Sequence, residues 1–158
     1  MSFNPDTNPR ITGDLNVYYG ASVSSIATDQ PVTWSTLDTS FSNTFTLTKN
    51  GAQFTLPNDG KTYILEAYVL QTGTNAYTTF QWYDVTNSSY VGIIGNVAGS
   101  YNIDEGRLGG VVADEKAIFV TNQNNTYELR LKNAGTSAVD TSSPGIYYAK
   151  PRCCIWRL

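Results

Sequence analysis

The chain has no histidine among its 158 residues. That removes the usual base for a serine or cysteine nucleophile and the commonest metal ligand. Charge is scarce as well: Asp, Glu, Lys and Arg make up 15% of the sequence, against roughly 25% in an ordinary soluble domain. The ten basic residues are scattered and the net charge is −3. The concentrated basic surface that nucleic acid or an anionic membrane requires is therefore missing. No stretch approaches the roughly 18 apolar residues of a transmembrane helix. The opening MSFNPDTNPR lacks the basic and apolar regions of a signal peptide, so synthesis and folding in a cytosol is the expectation. The only cysteines, Cys153 and Cys154, are adjacent. A bridge between neighbours does not fit an extended strand, and two thiols without histidine make a poor zinc site within one chain. They read as buried thiols on a terminal strand, with an intermolecular contact or a metal site as the alternative.

What the sequence does contain is β-forming. Aromatic residues reach 13%, with eleven tyrosines and three tryptophans, and hydrophobic residues 41%. Tyr and Trp combine apolar area with a polar tip and concentrate in sheets and interfaces. No segment of ten or more residues shows a helical period. At 158 residues the chain is one domain's worth and can bury roughly two thirds of its unfolded surface.

The organising stretch is residues 53–70, QFTLPNDGKTYILEAYVL. An alternating run breaks at Pro57-Asn58-Asp59-Gly60, and a second run rich in Tyr, Ile, Leu and Val follows. Proline presets φ at the first corner and glycine relieves positive-φ strain at the end. Two such runs across a turn predict consecutive strands of one sheet. The second is mostly apolar on both faces, with Glu66 sharing one of them with Ile64 and Tyr68, as for a central strand covered by the core and by a neighbouring subunit.

Ahead of this, residues 1–30 read as a polar arm in which Ile11, Leu15, Val17 and Tyr19 share one parity and can dock onto something apolar. From residue 31 onward short strand signals recur. Lys49-Asn50-Gly51 carries a hairpin signal; residues 77–85 and 90–97 flank a short loop; Tyr127, Leu129 and Leu131 alternate with Glu128, Arg130 and Lys132. Residues 98–110 and 133–144 read as long loops, and the chain ends in an apolar strand through Trp156. The pattern of nine or ten short strands predicts an all-β antiparallel sandwich or jelly roll over residues 31–158.

The run FTLPNDGKTY resembles the signature of C1q/TNF-like jelly rolls, an aromatic, a Pro-x-x-Gly turn and a tyrosine entering a central strand, with Phe54, Pro57, Gly60 and Tyr63 in those positions. The tract QWYDVTNSSYVGIIG and the closing CCIWRL are similar to knob and decoration domains of tailed-phage structural proteins with that fold. The resemblance implies an all-β, antiparallel two-sheet jelly-roll sandwich of about ten strands and, for the family, a tight homotrimer with aromatic-rich surfaces at the threefold axis.

Catalysis is poorly supplied. The carboxylate pairs Asp104-Glu105 and Asp114-Glu115 fall in or beside predicted loops, and neighbours in an extended segment point apart, so they read as solvated charge, with a calcium site as the alternative. Tyr18, Tyr19, Tyr101, Tyr147 and Tyr148 suit core or subunit-interface packing, or stacking on sugar rings. No cofactor, metal or catalytic residue is expected. The expected function is that of a non-enzymatic virion protein assembled in a host cytoplasm. It would be a trimeric capsid decoration (cement) protein docking on the major capsid protein, or another virion protein, through Phe3, Arg10, Ile11 and Leu15, with Trp82, Tyr127 and Trp156 in the core or at the trimer interface. The alternative is a receptor- or carbohydrate-binding knob of a tail or fibre, with a glycan as partner.

Overall fold

The computed structural model describes residues 14–19, 28–39, 45–70, 76–99, 112–120, 123–133 and 152–158. Within them lie ten strands and no helix: β1 (Asp14–Tyr19), β2 (Thr36–Leu37), β3 (Thr48–Asn50), β4 (Gln53–Thr55), β5 (Thr62–Leu70), β6 (Ala76–Asp84), β7 (Ser89–Gly99), β8 (Val112–Val120), β9 (Thr126–Asn133) and β10 (Arg152–Arg157). They form two five-stranded antiparallel sheets. Sheet one has the order β2-β1-β10-β5-β8 and sheet two β3-β4-β9-β6-β7. This is the antiparallel two-sheet jelly roll expected from the strand pattern together with the C1q/TNF-like resemblance.

Between the sheets lies one apolar core. Phe54, Phe80, Trp82, Tyr127, Leu129 and Leu131 come from sheet two; Tyr18, Tyr63, Leu65, Ala67, Cys153 and Ile155 come from sheet one. Val32 and Trp34 add to it from the segment entering β2. Each fully buried large side chain contributes roughly 1.5–3 kcal/mol by removing apolar area from water. The alternation of β9 appears as expected, with Tyr127, Leu129 and Leu131 inside.

Three expectations need correction. The turn 57–60 does not join neighbours in one sheet. β4 pairs with β3 and β9, whereas β5 pairs with β10 and β8, so the turn carries the chain across the sandwich. Local turn chemistry permits either outcome, and the long-range partners decide. Second, residues 1–30 are not a separate arm throughout. β1 pairs with β10 along its full length and with β2 at Tyr18 and Tyr19, and Asp29 N and Gln30 O bond with Leu131 O and N at 2.7 and 2.9 Å. Residues 29–32 thereby take an edge of β9 that β4 leaves open. Third, Asp114 and Glu115 lie within the continuous strand β8, paired with Tyr68 and Ala67, rather than in a loop.

The turns follow their chemistry. The β3–β4 hairpin has Gly51-Ala52 between the paired Asn50 and Gln53, with Gly51 at φ 58°. β3 is a three-residue edge strand. Its Lys49 stands opposite Phe54 on the core face, with Nζ 5.9 Å from the Tyr18 ring centre, and burial lowers its pKa. A short edge with an inward lysine resists pairing with foreign strands. Asp84, buried at the end of β6, accepts from Asn87 N (3.0 Å), Asn87 Nδ2 (2.9 Å) and Asn125 Nδ2 (3.2 Å), closing the β6–β7 turn and tying it to the loop before β9.

Gly60 sits at φ 67°, and a Cβ there would meet nothing within 4 Å. Backbone conformation alone sets the cost of a side chain. Gly60→Ala is expected to lose about 1 kcal/mol, and Gly60→Asn less, because asparagine tolerates the left-handed region. Urea unfolding of the two variants checks this, and equal losses would contradict it.

Candidate interaction surface

Each sheet has one face toward the core and one face away from it, and the two outward faces differ in kind. On sheet one, β1 presents Leu15, Val17 and Tyr19 outward, because Asn16 and Tyr18 take the core side. The register sets Leu15 opposite Trp156, Val17 opposite Cys154 and Tyr19 opposite Arg152. Across β10, Trp156 pairs with Ile64 and Cys154 with Glu66. Directly opposed residues in an antiparallel pair share a face. The result is a largely apolar patch with one acid and one base. At its middle is an open depression of about 340 Å³ lined by Leu15, Val17, Tyr19, Glu66, Arg152, Cys154 and Trp156. Val17 is only 2% exposed and Cys154 7%, sunk between larger neighbours that stand half-buried around them.

The outward face of sheet two carries a polar network closed on itself. Glu128 Oε1 accepts from Arg130 Nε at 2.5 Å and its Oε2 from Gln53 Nε2 at 3.1 Å. These partners leave Glu128 3% exposed at a position that alternation assigns to solvent. The Arg130 guanidinium lies 3.5 Å from the Tyr83 ring centre and Lys132 Nζ 4.6 Å from that of Tyr90. The two rings meet edge to face at 5.0 Å. Lys132 Nζ donates to Gln81 Oε1 at 2.8 Å, and the Tyr90 hydroxyl donates to Asp29. Burial and that carboxylate push the Tyr90 phenol up to about 12. Charges whose partners lie on the same face need nothing from a second molecule.

A third cluster closes one end of the sandwich. Arg157 Nε donates to Asp14 Oδ2 at 2.9 Å, Nη1 lies 3.7 Å from Asp59 Oδ2, and the guanidinium stacks 4.8 Å from the Phe45 ring centre. Asp59 Oδ2 also accepts from the Tyr63 hydroxyl at 2.9 Å. The cluster pins the ends of β1 and β10 to the 57–60 turn.

The residues singled out from sequence fall in different places. Trp82 and Tyr127 are core residues facing the opposite sheet, whereas Trp156 lies on the outward face of sheet one. Phe54 and Tyr63 are fully buried, and Pro57 and Gly60 form the inter-sheet link. Leu15, expected in a docking arm, lines the depression; Phe3, Arg10 and Ile11 lie outside the described residues. So do Asp104, Glu105, Tyr101, Tyr147 and Tyr148. Tyr18 is buried against Phe54 at 5.1 Å between ring centres and cannot stack on a sugar, while Tyr19 stands at the depression. Val17, Ile64, Glu66, Arg152 and Cys154 were not singled out as one patch. The shared parity of Leu15, Val17 and Tyr19 was its only local trace.

The adjacent thiols diverge. Cys153 points into the core and Cys154 to the outward face, and both are free. Burial pushes the Cys153 thiol well above its ordinary value; it also raises that of Cys154, against the Arg152 charge. Protonated, enclosed thiols are poor nucleophiles. Among the described residues no three His, Cys, Asp or Glu side chains converge as metal ligands, and no helix is long and apolar enough to cross a membrane.

No protein-family model matches the chain, and no curated protein matches it. Solved structures do. Three crystal structures of murine APRIL, at pH 8.0, 8.5 and 5.0, superpose with TM-scores of 0.58, 0.58 and 0.59 at 12%, 11% and 11% identity. Each comparison covers 92% of this chain and 99% of the other. Identity this low speaks to architecture and to nothing finer: the chain has a C1q/TNF-like jelly-roll fold.

Proposed function

We propose that this chain is a non-enzymatic structural protein of a tailed-phage virion, a homotrimeric decoration protein that docks on the capsid exterior. The observation that carries the assembly half is the contrast between the outward faces. Sheet one offers Leu15, Val17, Tyr19, Ile64, Cys154 and Trp156 around a depression, while the charges of sheet two are paired within their own face. An apolar face with a polar counterpart suits a subunit that turns one side to its copies and the other to water. The virion half rests on the resemblance of FTLPNDGKTY, QWYDVTNSSYVGIIG and CCIWRL to phage knob and decoration domains. Among the described carboxylates, Asp14, Asp29, Asp59, Asp84 and Glu128 hold structural partners, which supports binding rather than catalysis at those positions.

With β1 built into sheet one, the docking arm of this proposal is the stretch ahead of residue 14, with Phe3, Arg10 and Ile11 as its contacts. Removing residues 2–12 is expected to abolish attachment to shells while leaving the mass in light scattering unchanged. Retained attachment would take the arm out of the proposal. Electron cryomicroscopy of particles carrying the protein decides its place: density repeating over the shell supports decoration. Density confined to the tail, with signal on a glycan array, would replace it with the receptor- or carbohydrate-binding knob.

A further inference from the structure

Asn50 is the only asparagine in the chain with a glycine after it. In such a pair the glycine nitrogen can attack the asparagine amide carbon, because no Cβ shields its approach. Two things oppose the attack: a side chain held by partners, and a backbone held extended. At Asn50 the first is missing and the second is weak. Asn50 is exposed at the end of β3, and among the described residues none holds its side-chain amide. Gly51 takes φ 58°, and a Cβ there would meet nothing within 4 Å. Pairing with Gln53 keeps Asn50 extended, yet β3 has three residues and a single neighbour, β4, at the edge of sheet two. A short edge of this kind opens locally at low cost.

The comparable positions are held. Asn16 is 2% exposed. Asn87 Nδ2 and Asn125 Nδ2 donate to Asp84 Oδ2 at 2.9 and 3.2 Å, and Asn124 Oδ1 accepts from Asn58 N at 2.8 Å. Asp59-Gly60 offers the same chemistry with loss of water, and Gly60 is as open as Gly51. There Asp59 Oδ1 accepts from Lys61 N at 3.1 Å and Oδ2 from the Tyr63 hydroxyl at 2.9 Å, so the carboxylate is fixed.

We propose that Asn50 is a site of spontaneous deamidation and that the change unzips the β3–β4 hairpin. The Gly51 nitrogen bonds to Asn50 Cγ; the Nδ2 group leaves as ammonia, taking the Gly51 amide proton, and a five-membered imide closes. Water then opens the ring at either carbonyl, giving an aspartyl or an isoaspartyl linkage. One water enters, one ammonia leaves, and nothing is oxidised or reduced. The product carries a new carboxylate beside Lys49. The isoaspartyl form also adds a backbone atom ahead of Gly51, which breaks the register of Asn50 with Gln53. With β3 displaced, the guard that its inward lysine gives the sheet edge is lost.

The test is incubation of the full chain, wild type and Asn50→Gln, in mildly alkaline buffer, followed by peptide mapping with isoaspartyl methyltransferase labelling. The wild-type peptide holding residues 50 and 51 is expected to gain one mass unit and the label, faster as pH rises and ahead of every other asparagine. Asn50→Gln would close a larger, slower ring and should keep its mass there. Asp59 should acquire the label only in unfolding urea. A wild-type chain that changes at Asn50 in urea but not when folded would show that the hairpin protects the amide, and would overturn the site. Faster change at another asparagine would overturn it as well. The isoaspartyl fraction, separated by ion exchange, should melt below the unchanged chain. Equal melting would overturn the unzipping.

Discussion

Trp82→Ala is expected to lose about 3–5 kcal/mol and, for a sandwich of this length, roughly 6–20 °C in Tm. Trp82 is fully buried on β6 between its register partners Leu129 and Val91. Its ring stands edge-on to Phe54 at 6.4 Å, and Phe54 in turn tilts against Tyr18 at 5.1 Å. The series crosses the interior from sheet two to sheet one. Removing the indole deletes its transfer energy and leaves a void that strands held by hydrogen bonds on both sides cannot collapse to fill. Trp82→Phe retains most of the apolar volume and should lose less than half as much. Thermal melts followed by far-ultraviolet circular dichroism measure both. A loss under about 1 kcal/mol for the alanine variant would mean that this residue does not hold the sheets together.

The second large effect is loss of stability in alkali, carried mainly by Tyr63. Burial first, and then the Asp59 carboxylate that accepts its hydroxyl hydrogen bond, push this phenol from 10.0 up to about 12, with Arg157 opposing. The folded state favours the protonated form. The contribution is therefore complete below pH 10, where the unfolded phenol ionises, and is lost as pH climbs through 12. A shift of this size has a ceiling of about 2–3 kcal/mol. The hydroxyl sits at the end of the sandwich beside two charged groups, where solvent screens part of it, so about 1–2 kcal/mol is expected. Tyr90 moves in the same direction but stands half-exposed over a polar face, and its share is smaller. Tyr63→Phe keeps the ring against Phe45, 5.9 Å away, and removes the ionisation. Its stability should fall less steeply than wild type between pH 10 and 12 in denaturant melts. Parallel slopes for the two proteins would assign the alkaline loss elsewhere.

Several features of the fold were open to reading along the chain because they depend on neighbours in sequence. Tyr127, Leu129 and Leu131 alternate with polar residues, and their strand forms with those side chains inside. The glycine of Asn50-Gly51 turns the β3–β4 hairpin. Phe54 and Tyr63 enter the core on either side of the 57–60 turn. The candidate surface was far less legible. Its residues come from β1, β10 and β5, separated by dozens of positions, and become one patch only through the register Val17–Cys154–Glu66. The exposure of Ile93 and Ile94 on β7 had a local trace, two isoleucines between glycines, yet it depends on the bulge opposite Gln81.

By itself the sequence determined the class of the molecule. Period-two alternation, turn residues at short intervals and the shortage of charge leave an all-β sandwich without histidine chemistry, since each is a matter of local conformation or composition. Tertiary structure decided the rest: that Asn16 and Tyr18 rather than Leu15, Val17 and Tyr19 face the core, that Glu128 is buried, that Cys153 and Cys154 part company, and that β4 and β5 belong to different sheets. A strand has two faces, and its own sequence ranks them only weakly when both carry apolar residues. The choice falls to hydrogen-bond partners far along the chain, which set the register, and one step of register exchanges the inside for the outside.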